Sequence, residues 1–325
     1  MGRALTAPTI EDARAARERL SGAALRTPLV RIDADASDAE IFLKLENLQP
    51  IGSFKLRGAL NRIRSLPREQ LRDGVYTASA GNMAQGVAWA ARALGIAASV
   101  VVPDTAPRAK LDAIARLGAT IVAVPYDEWW KTMQHHGRPG VGGTFVHPFA
   151  DRDVMAGNGT IALEIIEDLP EVDAILIPWG GGGLTCGIAA VLRALKPSVK
   201  VYACEVDVAA PLSASLAAGK PLTIENQRSF VDGIGGRGVF PDIWPLARDL
   251  VSGSLTVTTT QVAEAVSLIA RRARVVAEGA GAAALAAARA HCPSISPKPK
   301  RVVCIVSGGN IDASALATIL SGSIP

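Results

Sequence analysis

Four short segments of this 325-residue sequence carry the residue types from which reactive sites are built. The first is Trp179-Gly180-Gly181-Gly182-Gly183-Leu184, set between an apolar run at 174–178 and a helical stretch at 185–195. Four consecutive glycines are costly in backbone entropy. They let successive amides turn toward one anion, and the dipole of the following helix adds partial positive charge. A phosphate is the guest that fits. The spacing is not GxGxxG and no Lys-Ser/Thr follows, so dinucleotide and nucleoside-triphosphate loops do not fit. The second segment is Gly52-Ser53-Phe54-Lys55-Leu56-Arg57-Gly58, which opens a helix. A cation at a helix start opposes the dipole. A free amine titrating near ~10.4 is also a weak nucleophile at neutral pH, which desolvation or imine chemistry remedies. The third, Ser79-Ala80-Gly81-Asn82-Met83-Ala84-Gln85-Gly86, caps another helix, and a bare helix start among small side chains accepts a carboxylate. The fourth, Ser307-Gly308-Gly309-Asn310, follows an apolar run, and its hydroxyl can cap a helix or hydrogen-bond a ligand's ring nitrogen.

The elements that must position these loops alternate along the chain. Apolar runs at 41–45, 99–102, 121–124, 174–178, 200–204 and 301–306 predict strands. Amphipathic stretches at 57–65, 84–94, 108–117, 159–168 and 260–272 predict helices between them. Such alternation argues for an α/β fold of two open, twisted parallel sheets flanked by helices. In those folds ligands sit beyond the carboxyl ends of strands, where the glycine loop and Ser307 fall. Composition narrows the function classes. Lys and Arg total 34 against 30 for Asp and Glu, a formal charge of +4 with no basic run and no aromatic–basic interleaving. That argues against nucleic acid and anionic membranes as partners. Cys186, Cys204, Cys292 and Cys304 show no CxxC spacing, which predicts reduced, buried thiols. No apolar run approaches the roughly 20 residues that cross a bilayer. Met1 is followed by a charged segment, so the sequence reads as a cytoplasmic enzyme with a small-molecule substrate.

A phosphate cup, a lysine nucleophile, a carboxylate turn and a neutral donor at a strand end together suit pyridoxal 5′-phosphate (PLP). The stretches KLENLQPIGSFKLRG (44–58), SAGNMAQG (79–86), HPFADRDVMAGNGTIALE (147–164), GGGGLTCGIA (180–189) and SGGNID (307–312) resemble the fold-type II PLP enzymes of the threonine/serine dehydratase and serine racemase group. The resemblance runs from about residue 10 to 320. It implies a tryptophan-synthase-β-like architecture, with 1–50 plus 146–325 forming a large PLP-binding domain. Residues 51–145 would form a small mobile domain that binds the substrate carboxylate. It makes Lys55 the Schiff-base lysine, with Phe54 against the cofactor ring and Asn82 on its phenolic oxygen. Gly180, Gly181, Gly182, Gly183 and Leu184 would hold the phosphate, and Ser307 would face the ring nitrogen. Glu278 matches an acidic residue near the cofactor. Ser79, Ala80, Gly81, Asn82 and Met83 would form the carboxylate turn.

The implied reaction is α,β-elimination from a β-hydroxy-α-amino acid of the threonine/serine type to a 2-oxo acid and ammonia. A homodimer is among the assemblies that the sequence leaves open. Departures from the group sharpen this. Racemases of the group resemble Ser-Ser-Gly-Asn, whereas Ala80 has no proton to deliver to the second face of Cα. Met83 and Trp179 replace smaller or polar residues, which points to a bulkier substrate such as 3-phenylserine if both face the pocket. Arg237 is the candidate cation for an acidic substrate such as 3-hydroxyaspartate. The group's divalent-cation site would begin at Glu205, but Pro211 stands where the second carboxylate belongs, so that site is expected to be lost or altered, with Asp207 the nearest substitute.

Overall fold

The computed structural model describes residues 5–34 and 39–325; Met1 and the rest of 1–4, like 35–38, lie outside the described residues. Among the described residues ten strands are formed: β1 (Leu29–Ile32), β2 (Glu40–Lys44), β3 (Val75–Ala78), β4 (Ala98–Pro103), β5 (Thr120–Val124), β6 (Thr144–Phe145), β7 (Ala174–Pro178), β8 (Lys200–Val206), β9 (Gly253–Val257) and β10 (Arg301–Ile305). They build a six-stranded sheet in the order β1-β2-β10-β7-β8-β9 and a four-stranded sheet in the order β5-β4-β3-β6. Every pairing is parallel except one. β1 runs antiparallel to β2, with Leu29 opposite Lys44, so the larger sheet is mixed rather than purely parallel. Only seven residues separate β1 from β2 in the sequence, and a parallel return would need a far longer crossover.

Both faces of the large sheet are covered, so its strands are apolar on both sides. Along β7 and β10, Leu176 and Cys304 face one layer of the core with Ala283, Ala284 and Ala287 from the helix Gly279–His291. Ile175, Ile177, Val303 and Ile305 face the other, against Leu184 and Ile188 of the helix Gly183–Leu195. The alanine-rich segment 280–288 is therefore core: all nine residues are buried, and their small side chains let the helix approach the sheet closely. All four cysteines are free and buried, and burial pushes the thiols of Cys186 and Cys292 up to about 12 and 11. Among the described residues no helix is long and apolar enough to cross a membrane.

A buried ionic cluster locks the helix Lys55–Ser65 to the rest of the molecule. Arg57, 2 % exposed, donates through Nε and Nη2 to the two oxygens of Glu46, each at 2.8 Å. Its Nη1 donates to Glu164 at 2.6 Å, and Lys44 Nζ meets the same carboxylate at 2.6 Å. Two cations and two carboxylates balance, and Thr27 and Gln49 fill further lone pairs on Glu46. Burial alone would raise the Glu46 carboxyl, but Arg57, Thr27 and Lys44 together hold it below its usual range.

Candidate active site

Lys55 is the first residue of its helix, and the residue before it, Phe54, lends no side-chain cap. The half-buried amine donates to the Pro148 carbonyl at 2.7 Å and lies 5.1 Å from the centre of the Phe54 ring. Burial pushes it down to about 8, against the opposing pull of Glu278. The strand end carrying Ser307 meets the same turn: Phe54 N donates to the Ser307 carbonyl at 3.0 Å, and Ser53 bridges to Gly308. Ser307 is 3 % exposed and its hydroxyl has no hydrogen-bond partner among the described residues.

The glycine loop is shaped for close approach. A Cβ on Gly181 would stand 2.2 Å from the Phe149 ring, and one on Gly183 2.7 Å from the Phe149 carbonyl. Gly182 has φ +87°, the left-handed conformation that side chains disfavour, and it caps the helix Gly183–Leu195. In the first turn of that helix the Thr185 hydroxyl is fully buried without a partner. A backbone cradle at a 13-residue helix start, with an orphaned hydroxyl behind it, fits a phosphate.

Across the site, Asn82 opens the helix Asn82–Leu94. Its Nδ2 donates to Glu278 Oε1 at 2.8 Å, and its Oδ1 accepts from Asn310 Nδ2 at 2.7 Å. In the same turn the Ser79 hydroxyl accepts from Gly81 N at 3.2 Å, and Ala80 packs on the core of the four-stranded sheet. Glu278 is pushed up to about 7, first by burial and then by Asp232, against the hydrogen bond from Asn82. Its folded pKa thus exceeds the unfolded value of ~4.3. The cost of ionising it in the fold appears as pH rises above about 4 and is complete above about 7. Glu278→Gln should therefore stabilise the protein at pH 8, on the order of 1–2 kcal/mol after allowance for partial exposure, and leave it unchanged at pH 4. Thermal melts at both pH values check this; an equal gain at each would assign the effect to packing.

The structure places the residues behind three further expectations. Met83 is 2 % exposed and packs among Leu60, Val87 and neighbours, while Trp179 is 1 % exposed against Met155, Ile243 and Trp244. Both side chains are core, so neither offers a contact to a bulky substrate. Arg237 is exposed and stacks 5.5 Å and 5.9 Å from the ring centres of Tyr126 and Trp130. Glu205 is fully buried, but its two oxygens accept from Leu212 N, Ser213 N and Ser254 Oγ. It caps the helix Pro211–Ala218 rather than standing open to a cation, and Asp207 is exposed and accepts from Val208 N. Sequence reasoning assigned no role to His147, Pro148 or Phe149. Their only signal was the position of the His-Pro-Phe triplet at the head of a matched stretch. His147 is 2 % exposed and accepts the amides of Phe149 and Ala150 on Nδ1, which holds the Pro148 carbonyl toward Lys55. Burial, then the neighbouring His136, keeps it neutral, with its pKa pushed down to about 3.

Residues 20–308 match the family described as pyridoxal-phosphate dependent enzyme. The chain belongs to that family. As a pyridoxal-phosphate dependent enzyme it is 38% identical over 317 residues to the L-threonine ammonia-lyase of Thermotoga maritima, covering 96% of this chain and 78% of that one. It is 41% identical over 284 residues to the serine racemase of Mus musculus, covering 85% and 83%. The solved structure of maize serine racemase superposes with a TM-score of 0.89 at 33% identity, covering 97% of this chain and 98% of that one. The fold of this pyridoxal-phosphate dependent enzyme is accordingly fold-type II, and its cofactor is PLP.

Proposed function

We propose that this enzyme is a cytoplasmic ammonia-lyase that converts L-threonine or L-serine to a 2-oxo acid and ammonia. The observation that carries the reading is Lys55, an amine held against the Pro148 carbonyl and lowered toward neutrality by burial, where it can take a proton from Cα. Relatives named L-threonine ammonia-lyase support the reaction class. In this reading the amides of 180–184 hold the phosphate and Phe54 lies against the ring. Bound there, PLP supplies an aldehyde carbon and a ring that withdraws electrons from Cα. Ser307, a neutral hydroxyl, leaves the ring nitrogen without a counter-charge. With PLP bound, this neutral contact would make the ring a weaker electron sink, which would suit elimination of a β-hydroxyl. Asn82, fixed by Glu278 and Asn310, orients the phenolic oxygen, and the turn 79–83 receives the substrate carboxylate through its backbone. The proposal includes a smaller unit, residues 51–145, that moves against 1–50 plus 146–325, and a homodimer.

Serine racemases are the second reading, favoured by the 41% identity to the mouse protein. Against it stands Ala80, whose methyl group cannot exchange a proton. The 3-phenylserine reading lost its contacts when Met83 and Trp179 proved to be core. The 3-hydroxyaspartate reading rested on Arg237, which instead lies over the rings of Tyr126 and Trp130. A panel of threonine, serine, 3-phenylserine and 3-hydroxyaspartate, read as 2-oxo acid formation and as D-serine, decides among them. Threonine or serine should show the highest kcat/KM, with no D-serine formed. D-serine appearing as fast as the 2-oxo acid would replace the lyase by the racemase.

A further inference from the structure

Away from the active site a cavity of about 490 Å³ opens where the helices Lys55–Ser65 and Asn82–Leu94 both end. Its floor is apolar, formed by Ile63, Leu71, Leu94 and Ile96, and its rim carries Arg64, Arg68 and Arg72. Leu94 is 37 % exposed at the edge of this floor. Arg64 is tied to the Arg19 carbonyl, whereas Arg68 and Arg72 have no hydrogen-bond or ion-pair partner among the described residues. No acidic side chain lines the cavity. An open hollow with an apolar floor and basic residues at its rim can receive a small molecule.

We infer that this cavity binds a small organic anion with an apolar body and no ammonium group. The guanidinium groups supply the anion's partners, and Arg is suited to carboxylate and phosphate alike. The apolar floor takes the body of the ligand. The absence of any carboxylate in the lining selects against an amino acid, whose ammonium would meet only cations. A 2-oxo acid has this chemistry and is the class of product of the proposed reaction, a link that rests on the ammonia-lyase reading; the binding itself does not. The location gives the occupant a mechanical connection. The first residues of the two helices are Lys55 and Asn82, about 15 and 18 Å from their last residues at ~1.5 Å per residue. A ligand at the far ends thus touches both elements that deliver those side chains.

Calorimetric titration of the holoenzyme tests the site with three probes: 4-methyl-2-oxopentanoate, leucine, which has the same body with an ammonium, and inorganic phosphate, an anion without the body. The oxo acid should bind, and Arg68→Gln with Arg72→Gln should weaken it at least about tenfold. The melting temperature and the reaction rate of this surface variant should stay at the wild-type value. Leucine should show no binding that depends on the two arginines, and phosphate should bind more weakly than the oxo acid. Equal affinity of the oxo acid for wild type and variant would place it elsewhere and overturn the inference, as would no binding at all. Phosphate binding as tightly as the oxo acid would remove the role of the apolar floor. Should the substrate panel yield no 2-oxo acid while these titrations succeed, the ammonia-lyase reading fails and the anion site stands.

Discussion

Lys55→Ala should reduce 2-oxo acid formation by at least about a thousandfold while the protein still folds. The amine is the group we assign both to cofactor linkage and to removal of the Cα proton, and each step is lost without it. Folding survives for a separate reason. Lys55 places a cation at a helix start and is held largely out of water, so its removal relieves an unfavourable dipole contact and a desolvation cost. The helix itself is anchored by Leu56, Leu60 and Ile63, all fully buried, and by Arg57. Circular dichroism should thus show wild-type helicity beside the lost turnover. Borohydride reduction of the wild type followed by peptide mapping should place the pyridoxyl group on the Lys55 peptide. Residual activity within tenfold of wild type, or labelling of a different lysine, would move the active centre elsewhere.

Arg57→Met has the largest expected effect on stability. It leaves Glu46 and Glu164 buried with only Lys44 as counter-charge, and removal of one partner from a buried ion cluster costs about 3–5 kcal/mol. For a chain of this size the melting temperature should fall on the order of 10 °C. The loss depends on pH. Glu46 is held below its usual range in the fold, so its contribution is present above the unfolded carboxyl pKa of ~4.3 and disappears as pH falls through the folded value. The gap between wild type and variant should therefore narrow in acid. A loss under about 1 kcal/mol at pH 7 would mean that water or repacking replaces the guanidinium.

Much of this architecture is local information. The glycine run, the apolar β7 and β10, and the helix starts at Lys55 and Asn82 follow from chain geometry over a few residues: backbone freedom, side-chain period and capping. Those features, with the resemblance of the matched stretches, pointed to a PLP enzyme and raised the expectation of Lys55 and the 180–184 loop at its centre. Weakly patterned strands were not legible in this way. β3, Val75–Ala78, is buried at all four positions and shows no alternation, and β6 is two residues long. The antiparallel β1 depends on a partner strand, which no local pattern announces.

Side-chain direction was decided by packing alone. Met83 sits one residue past Asn82, yet the first turn of a helix sends successive side chains about a hundred degrees apart. Asn82 reaches Glu278, 196 residues away in sequence, while Met83 enters the core. Trp179 adjoins the glycine loop by sequence, but the turn at Gly182 folds its ring inward against Ile243. Glu205 has the residue type of a cation ligand, and only the arrival of residues 212, 213 and 254 turns it into a helix cap. The sequence by itself determined the chemistry available, because reactive groups and glycine loops are local. The tertiary structure decided which side chains face that chemistry, because burial and hydrogen-bond partners are properties of contacts between distant segments.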